Sequence, residues 1–230
     1  FTEEALMSKS LATIHREVPL DFKLEDLEFK NDTEEQKYEL FKEYEFNSLL
    51  ENMDAAKTED ISDFDVENTE NLQDLGNKIS IHLEVHADNY LYNKPEFIAV
   101  TDGEKAYVRS LENIDAKELE EFLNSREEVN AYDIKRQIAL LNQLDIRFNG
   151  FSNDIMMASF LLDPSTKIID VSETVGPYGI NINSDDFHYG KGRNKKNPSE
   201  EETIEFLTDK VMAVHTAKDK MVKKLAEDEM

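Results

Sequence analysis

The sequence predicts an α/β domain, a mixed sheet with flanking helices, preceded by a short helical segment. Two observations carry this. Apolar spacing in the first fifty residues is helical, and from residue 79 it becomes strict alternation. Beyond that point, three strand-like runs are followed by a helix, a strand and further helices.

In order along the chain, residues 3–15 carry Leu6, Ala12 and Ile14 at helical spacing, and Val18-Pro19 ends that helix. Thr33 with Gln36 is a capping-box pattern that opens a helix carrying Tyr38, Leu40, Phe41 and Tyr44. Residues 46–50 add a short turn or helix. Residues 54–76 are acidic and poor in large apolar groups, the composition of a solvated linker. Ile79, Ile81, Leu83 and Val85 then alternate with Ser80, His82, Glu84 and His86, which predicts a strand with one buried face. Runs at 96–100 and 106–109 are further strands, joined by an Asp102-Gly103 hairpin turn. Asp115 with Glu118 starts a helix through Phe122, 128–132 is a strand, and 133–144 is a helix with Ile134, Ile138 and Leu141 on one face. Asn153 or Asp154 caps an apolar helix to Leu162, whose Phe and Met side chains we expect in the core. Residues 176–198 read as loop, and Pro198-Ser199 with Glu202 opens a final helix. That order fits a ribonuclease-H-like fold.

Charge narrows the function. The chain has 26 Lys and Arg against 51 Asp and Glu, a net charge of -25. Residues 1–76 hold 22 acidic and 7 basic side chains, so the first third is the more acidic. Such a chain repels phosphate at long range, and any DNA contact must be local or supplied by another part of a larger protein. The one dense basic run, Lys191, Arg193, Lys195 and Lys196, is the candidate for a weak phosphate contact, against the plainer reading of a solvated loop. There is no cysteine, which is compatible with a cytoplasmic location, and no apolar run long enough to span a bilayer. A start at Phe1 and an end at Met230 inside a helical pattern suggest a fragment.

Several blocks carry a resemblance. MSKSLATIHREVPLDFKLEDLEF and ELFKEYEFNSLLENM resemble the C-terminal tail of the 5′-nuclease domain of bacterial family A DNA polymerases. HLEVHADNY, GFSNDIMMASFLLDP, YGKGRNK and the last helix resemble the 3′-to-5′ exonuclease domain of the same family. The resemblance implies a tail over 1–53, a linker over 54–76 and an exonuclease-like domain over 77–230, with the polymerase domain absent.

It also implies a site. The family's exonucleases use two divalent metals held by four carboxylates: an Asp-x-Glu on the first strand, an Asp in an N-x-K-Y-D segment, and an Asp in a Tyr-x-x-x-Asp on the last helix. Hard cations need such oxygen ligands. Here the first motif falls on His82-Leu83-Glu84, the second places Gln137 at its aspartate, and the third places Phe206 at its tyrosine and Lys210 at its aspartate. One carboxylate of four survives. The resemblance therefore implies a catalytically inactive, structural domain that binds no metal. Mg²⁺ and DNA would belong to the parent enzyme, the polymerase domain would be an intramolecular partner, and the chain would be monomeric without membrane contact. Two rival readings stand beside it: an active exonuclease using Glu84 with Asp133 and Asp209 as substitute ligands, and an acidic module that binds protein partners. His82, Glu84 and His86 also share a strand face, as a zinc set would, but the plainer reading is a polar, more exposed face.

Overall fold

The computed structural model describes residues 2–14, 62–86, 89–164 and 170–228, with a few positions between 18 and 46. The chain divides into two compact units, Phe1–Glu59 and Asp60–Met230.

In the first unit the expected opening helix, α1, spans Thr2–Ala12. It buries none of its residues, and Leu6, Met7 and Leu11 are exposed. The expected capping box at Thr33, the body of the helix over 33–44, the turn over 46–50 and the start of the acidic stretch lie largely outside the described residues.

The second unit is built on a six-stranded sheet in the order β1-β4-β3-β2-β5-β6. The strands are β1 (Glu67–Asn68), β2 (Lys78–Glu84), β3 (Phe97–Thr101), β4 (Lys105–Ser110), β5 (Glu128–Ala131) and β6 (Phe151–Asp154). β2, β3 and β4 are antiparallel neighbours, whereas β5 runs parallel to β2, β6 to β5 and β1 to β4, so the sheet is mixed. Gly103 makes the β3–β4 turn possible. It has a φ of 94°, and a Cβ there would meet the His215 ring at 2.9 Å. The turn is fixed by Asp102, whose Oδ1 accepts from the Glu104 and Lys105 N–H groups.

Helices cover both faces. On one, Ile79, Ile81 and Leu83 of β2 pack with Leu119, Phe122 and Leu123 of α2 (Ala116–Asn124) and with Leu140 and Leu141 of α3 (Ile134–Gln143). α4 (Ile155–Leu162), α5 (Val171–Val175) and α6 (Asp185–Tyr189) lead to α7 (Glu200–Glu227), whose 28 residues make a rod about 42 Å long. α7 starts on the expected capping box, Ser199 with Glu202. Its residues Phe206, Leu207 and Val211 pack on Ala99 and Val108 of the sheet's other face.

Four expectations change. The acidic stretch is not all linker, because Glu67–Asn68 pairs with β4 and Leu72 and Leu75 are buried in the core. Two well-placed leucines anchor a segment whose composition is otherwise that of solvent-exposed chain. β2 has no exposed face, since α7 lies over Ser80, His82 and Glu84 and buries them too. The stretch 176–198 holds α6 and two short 3₁₀ turns. α4 is apolar nearly all round, yet it buries Ile155 and Ala158 while Met157 and Phe160 stand out by nearly half.

Candidate functional site

β2, α3, α6 and α7 meet around one carboxylate. Glu84 is the last residue of β2 and is 3% exposed. Its Oε2 accepts from His82 Nε2 at 3.0 Å and from Lys210 Nζ at 2.8 Å. The Lys210 ammonium also donates to Asp185 Oδ1 at 2.6 Å and stands 5.2 Å from the Phe206 ring centroid. Arg136 of α3 brings Nη2 to 3.9 Å from Glu84 Oε1.

Alternation along β2 puts His82 and Glu84 on the same face, and the helical rise of α7 puts Lys210 above them. The neighbouring Asp209 faces elsewhere. It lines a separate cleft of about 390 Å³ with Glu205, Phe206, His188 and Lys196. Burial and the charges of Glu205 and Asp63 push its carboxyl up to about 6.

Gln137 is engaged with the backbone. β5 ends at Ala131, so Leu83 N–H, on the β5 side of β2, has no strand partner. Gln137 Oε1 accepts that N–H at 2.8 Å, and Nε2 donates to Tyr132 O at 3.4 Å. Asp133 is likewise committed, as its Oδ1 caps its own helix by accepting from Arg136 N at 3.1 Å. Asp133 holds a left-handed φ of 54° and is fixed there by Asp154, which accepts from the Asp133 and Ile134 N–H groups and also caps α4.

Electrostatics follow from burial and pairing. Burial alone raises the Glu84 carboxyl, but the Lys210 charge and the His82 N–H outweigh it and hold Glu84 well below the ordinary carboxylate range. Burial works against the Lys210 ammonium, but Glu84 and Asp185 outweigh it and raise the lysine above its usual value. Burial and then the Lys210 charge press His82 down. The imidazole is therefore neutral, with its proton on the Nε2 that faces the carboxylate, and its Nδ1 has no partner. This donor set does not fit a divalent cation. The two carboxylates are bridged by an ammonium, and no group of three His, Asp or Glu side chains among the described residues is disposed to hold a metal. A zinc set of His82, Glu84 and His86 fails for the same reason.

The structure thus joins His82 and Lys210 through Glu84, with Gln137 bonded to the strand between His82 and Glu84. Asp185 was missed because 176–198 read as loop. Ser184 as N-cap and Gly190 after Tyr189, with a φ of 69°, are the signals that mark its helix. Of the basic run, Lys191 and Lys195 line the cleft beside Glu84, about 270 Å³ in volume. Lys191 pairs with Asp186 at 2.9 Å, and Lys196 donates to Phe187 O at 2.8 Å. No helix among the described residues is long and apolar enough to cross a membrane.

The chain is 28% identical over 236 residues to DNA polymerase I of Bacillus subtilis, an alignment covering 98% of this chain and 27% of the relative. It is 27% identical to DNA polymerase I of Geobacillus stearothermophilus, covering 100% and 27%. The chain thus spans about a quarter of the length of these curated relatives. Among solved structures, Brucella melitensis NrnC with bound Mg²⁺ superposes with a TM-score of 0.54 at 17% identity over 71% of this chain and 81% of that one. Escherichia coli RNase D gives 0.53 at 14% identity over 72% and 46%. At these identities the likeness shows the fold alone, a mixed sheet with flanking helices. The family model described as "DNA polymerase I, ribonuclease H-like domain" matches residues 81–217, more than half of the chain and all of the Glu84 site, and the chain belongs to that family.

Proposed function

We propose that this chain is a non-catalytic, structural exonuclease-like domain of a family A DNA polymerase. The observation that supports the reading is the Lys210 ammonium, 2.8 Å from Glu84 and 2.6 Å from Asp185, where the family resemblance calls for a metal-binding aspartate. A divalent cation beside a fixed ammonium meets like-charge repulsion on the order of 4 kcal/mol per unit of its charge at 4 Å in a medium of effective dielectric about 20. Burial keeps solvent from relieving it. The substitute ligands are also engaged elsewhere, Asp133 as a helix cap and Asp209 on another cleft. Residues 1–53 then represent the tail of a preceding 5′-nuclease domain. DNA synthesis, DNA contact and Mg²⁺ belong to the remainder of the parent enzyme.

The test is release of labelled nucleotides from the 3′ end of single-stranded DNA, with Mg²⁺ and then Mn²⁺, beside a Glu84→Ala control. The expected result is no release above the control. Release that disappears with Glu84→Ala overturns the reading.

A further inference from the structure

Two clefts at the end of the sheet where β3 begins and β4 ends join at shared residues. The larger, about 890 Å³, lies between the start of β3, the end of β4, the end of α3 and the start of α7, and has Phe97, Leu111 and Leu144 among its lining. The smaller, about 360 Å³, follows β4 and has Leu72, Tyr107 and Ile114 in its wall. Ser110 and Glu200 border both. The result is one continuous groove with apolar side chains in its floor.

Its rim is acidic. Glu96, Glu112 and Glu200 line the larger cleft, and Glu70, Asp115 and Glu118 the smaller. All six are exposed. Against them stand Lys94 and Arg109, and Arg109 is already bonded to Glu70 at 3.0 Å. An apolar floor between carboxylates selects its occupant by complementarity. A phosphate backbone is repelled, and an all-apolar ligand leaves the rim unused. A second copy of this chain brings another net charge of -25.

We propose that this groove binds a partner polypeptide segment in which Lys or Arg alternates with apolar side chains. The apolar groups cover Phe97, Leu111 and Ile114, and the cationic groups reach Glu112, Glu118 and Glu200. This groove meets the Glu84 cleft at His86 and Tyr189, but Phe97, Ile114 and the acidic rim lie outside that cleft, and the proposal stands whether or not the cleft has nuclease activity.

The probe is a fluorescein-labelled Lys-Leu-Lys-Phe-Lys-Leu-Lys-Leu peptide, titrated with the whole chain and followed by anisotropy. Saturable one-to-one binding that weakens with salt is expected. The Glu112→Gln, Glu118→Gln, Glu200→Gln variant should bind at least tenfold more weakly. A variant with Glu104→Gln, Glu227→Gln and Asp228→Asn, equal in charge but distant from the groove, should bind as the parent does. Equal losses in both variants, or none in either, overturn the proposal, because the peptide is then held by the general field of an acidic protein. So does absence of binding, or a chain that is dimeric by sedimentation with the groove as its interface. Should the groove variant fail to fold, hydrogen exchange on the unmodified chain decides. Peptide-induced protection must fall on 110–118, and protection elsewhere overturns the proposal.

Discussion

Lys210 and Lys218 lie on the same helix, and each reaches a glutamate on one of two adjacent parallel strands. Lys210 meets Glu84 at the end of β2, and Lys218 meets Glu128 at the start of β5 at 3.1 Å. Their surroundings differ. At the first pair the side chains are 2% and 4% exposed, and at the second 9% and 22%. Lys218 also shares its ammonium with the exposed Asp219 at 2.8 Å. The same chemical pair is thus a sealed bridge at one place and a rim contact at the other. Water decides the strength of each, since a sealed pair strands its survivor when one partner is removed and a rim pair does not.

The sharpest way to break the comparison is Lys210→Met. It leaves Glu84 charged and buried, hydrogen-bonded only to His82 with the Arg136 guanidinium 3.9 Å away, and should lower unfolding stability by about 3–5 kcal/mol in urea titration at pH 7. Adding Glu84→Gln, which keeps an acceptor for the His82 N–H, should restore most of that loss. A double variant no more stable than Lys210→Met alone would show that the site is held by packing and not by charge.

Next in size is the pH dependence set by His82. Its folded pKa lies below the ordinary 6.5, so as pH falls below 6.5 the unfolded chain takes up a proton that the native chain refuses. Stability therefore falls on acidification, by at most about 1.4 kcal/mol per pH unit for one proton. His82→Gln should shrink that slope between pH 6.5 and 5 without abolishing it, because His188 and His215 are also lowered, chiefly by burial. An unchanged slope would mean that His82 is charged in the native state.

Lys218→Met tests the rim. It should be worth about 1 kcal/mol or less, and less again in 0.5 M salt. An effect equal to that of Lys210→Met would erase the distinction. The smallest effect is expected from Asp209→Asn. The native carboxyl titrates near 6, above its unfolded value, so the native chain holds the proton more tightly and loses stability as pH rises through that range. The amide should therefore stabilise the chain slightly at pH 7 and not at pH 4, read as the midpoint of thermal unfolding at each pH.

Much of this was legible in the sequence. Alternation from Ile79, the Asp102-Gly103 turn and the caps at Asp115 and Ser199 give elements whose bounds hold to within a few residues. Local chemistry sets those features, so a single sequence shows them. The motif positions also put His82, Glu84 and Lys210 at one place, and the structure joins them. What stayed hidden depends on distant packing. Nothing local tells that α7 covers the polar face of β2, so His82 and Glu84 read as exposed. Nothing local tells that Leu72 and Leu75 enter the core, so their stretch read as linker. Asp185 is brought to Lys210 by the path of the chain between α4 and α7, and a five-residue helix leaves only its caps as a signal.

A bound ion comes and goes by mass action, and a fold that relies on one gains stability with the logarithm of its free concentration. The Lys210 ammonium cannot dissociate, for it is carried on the same chain as Glu84 and Asp185. The clamp between sheet, α6 and α7 is therefore always occupied. Unfolding midpoints should therefore be the same in EDTA and in millimolar Mg²⁺ at matched ionic strength.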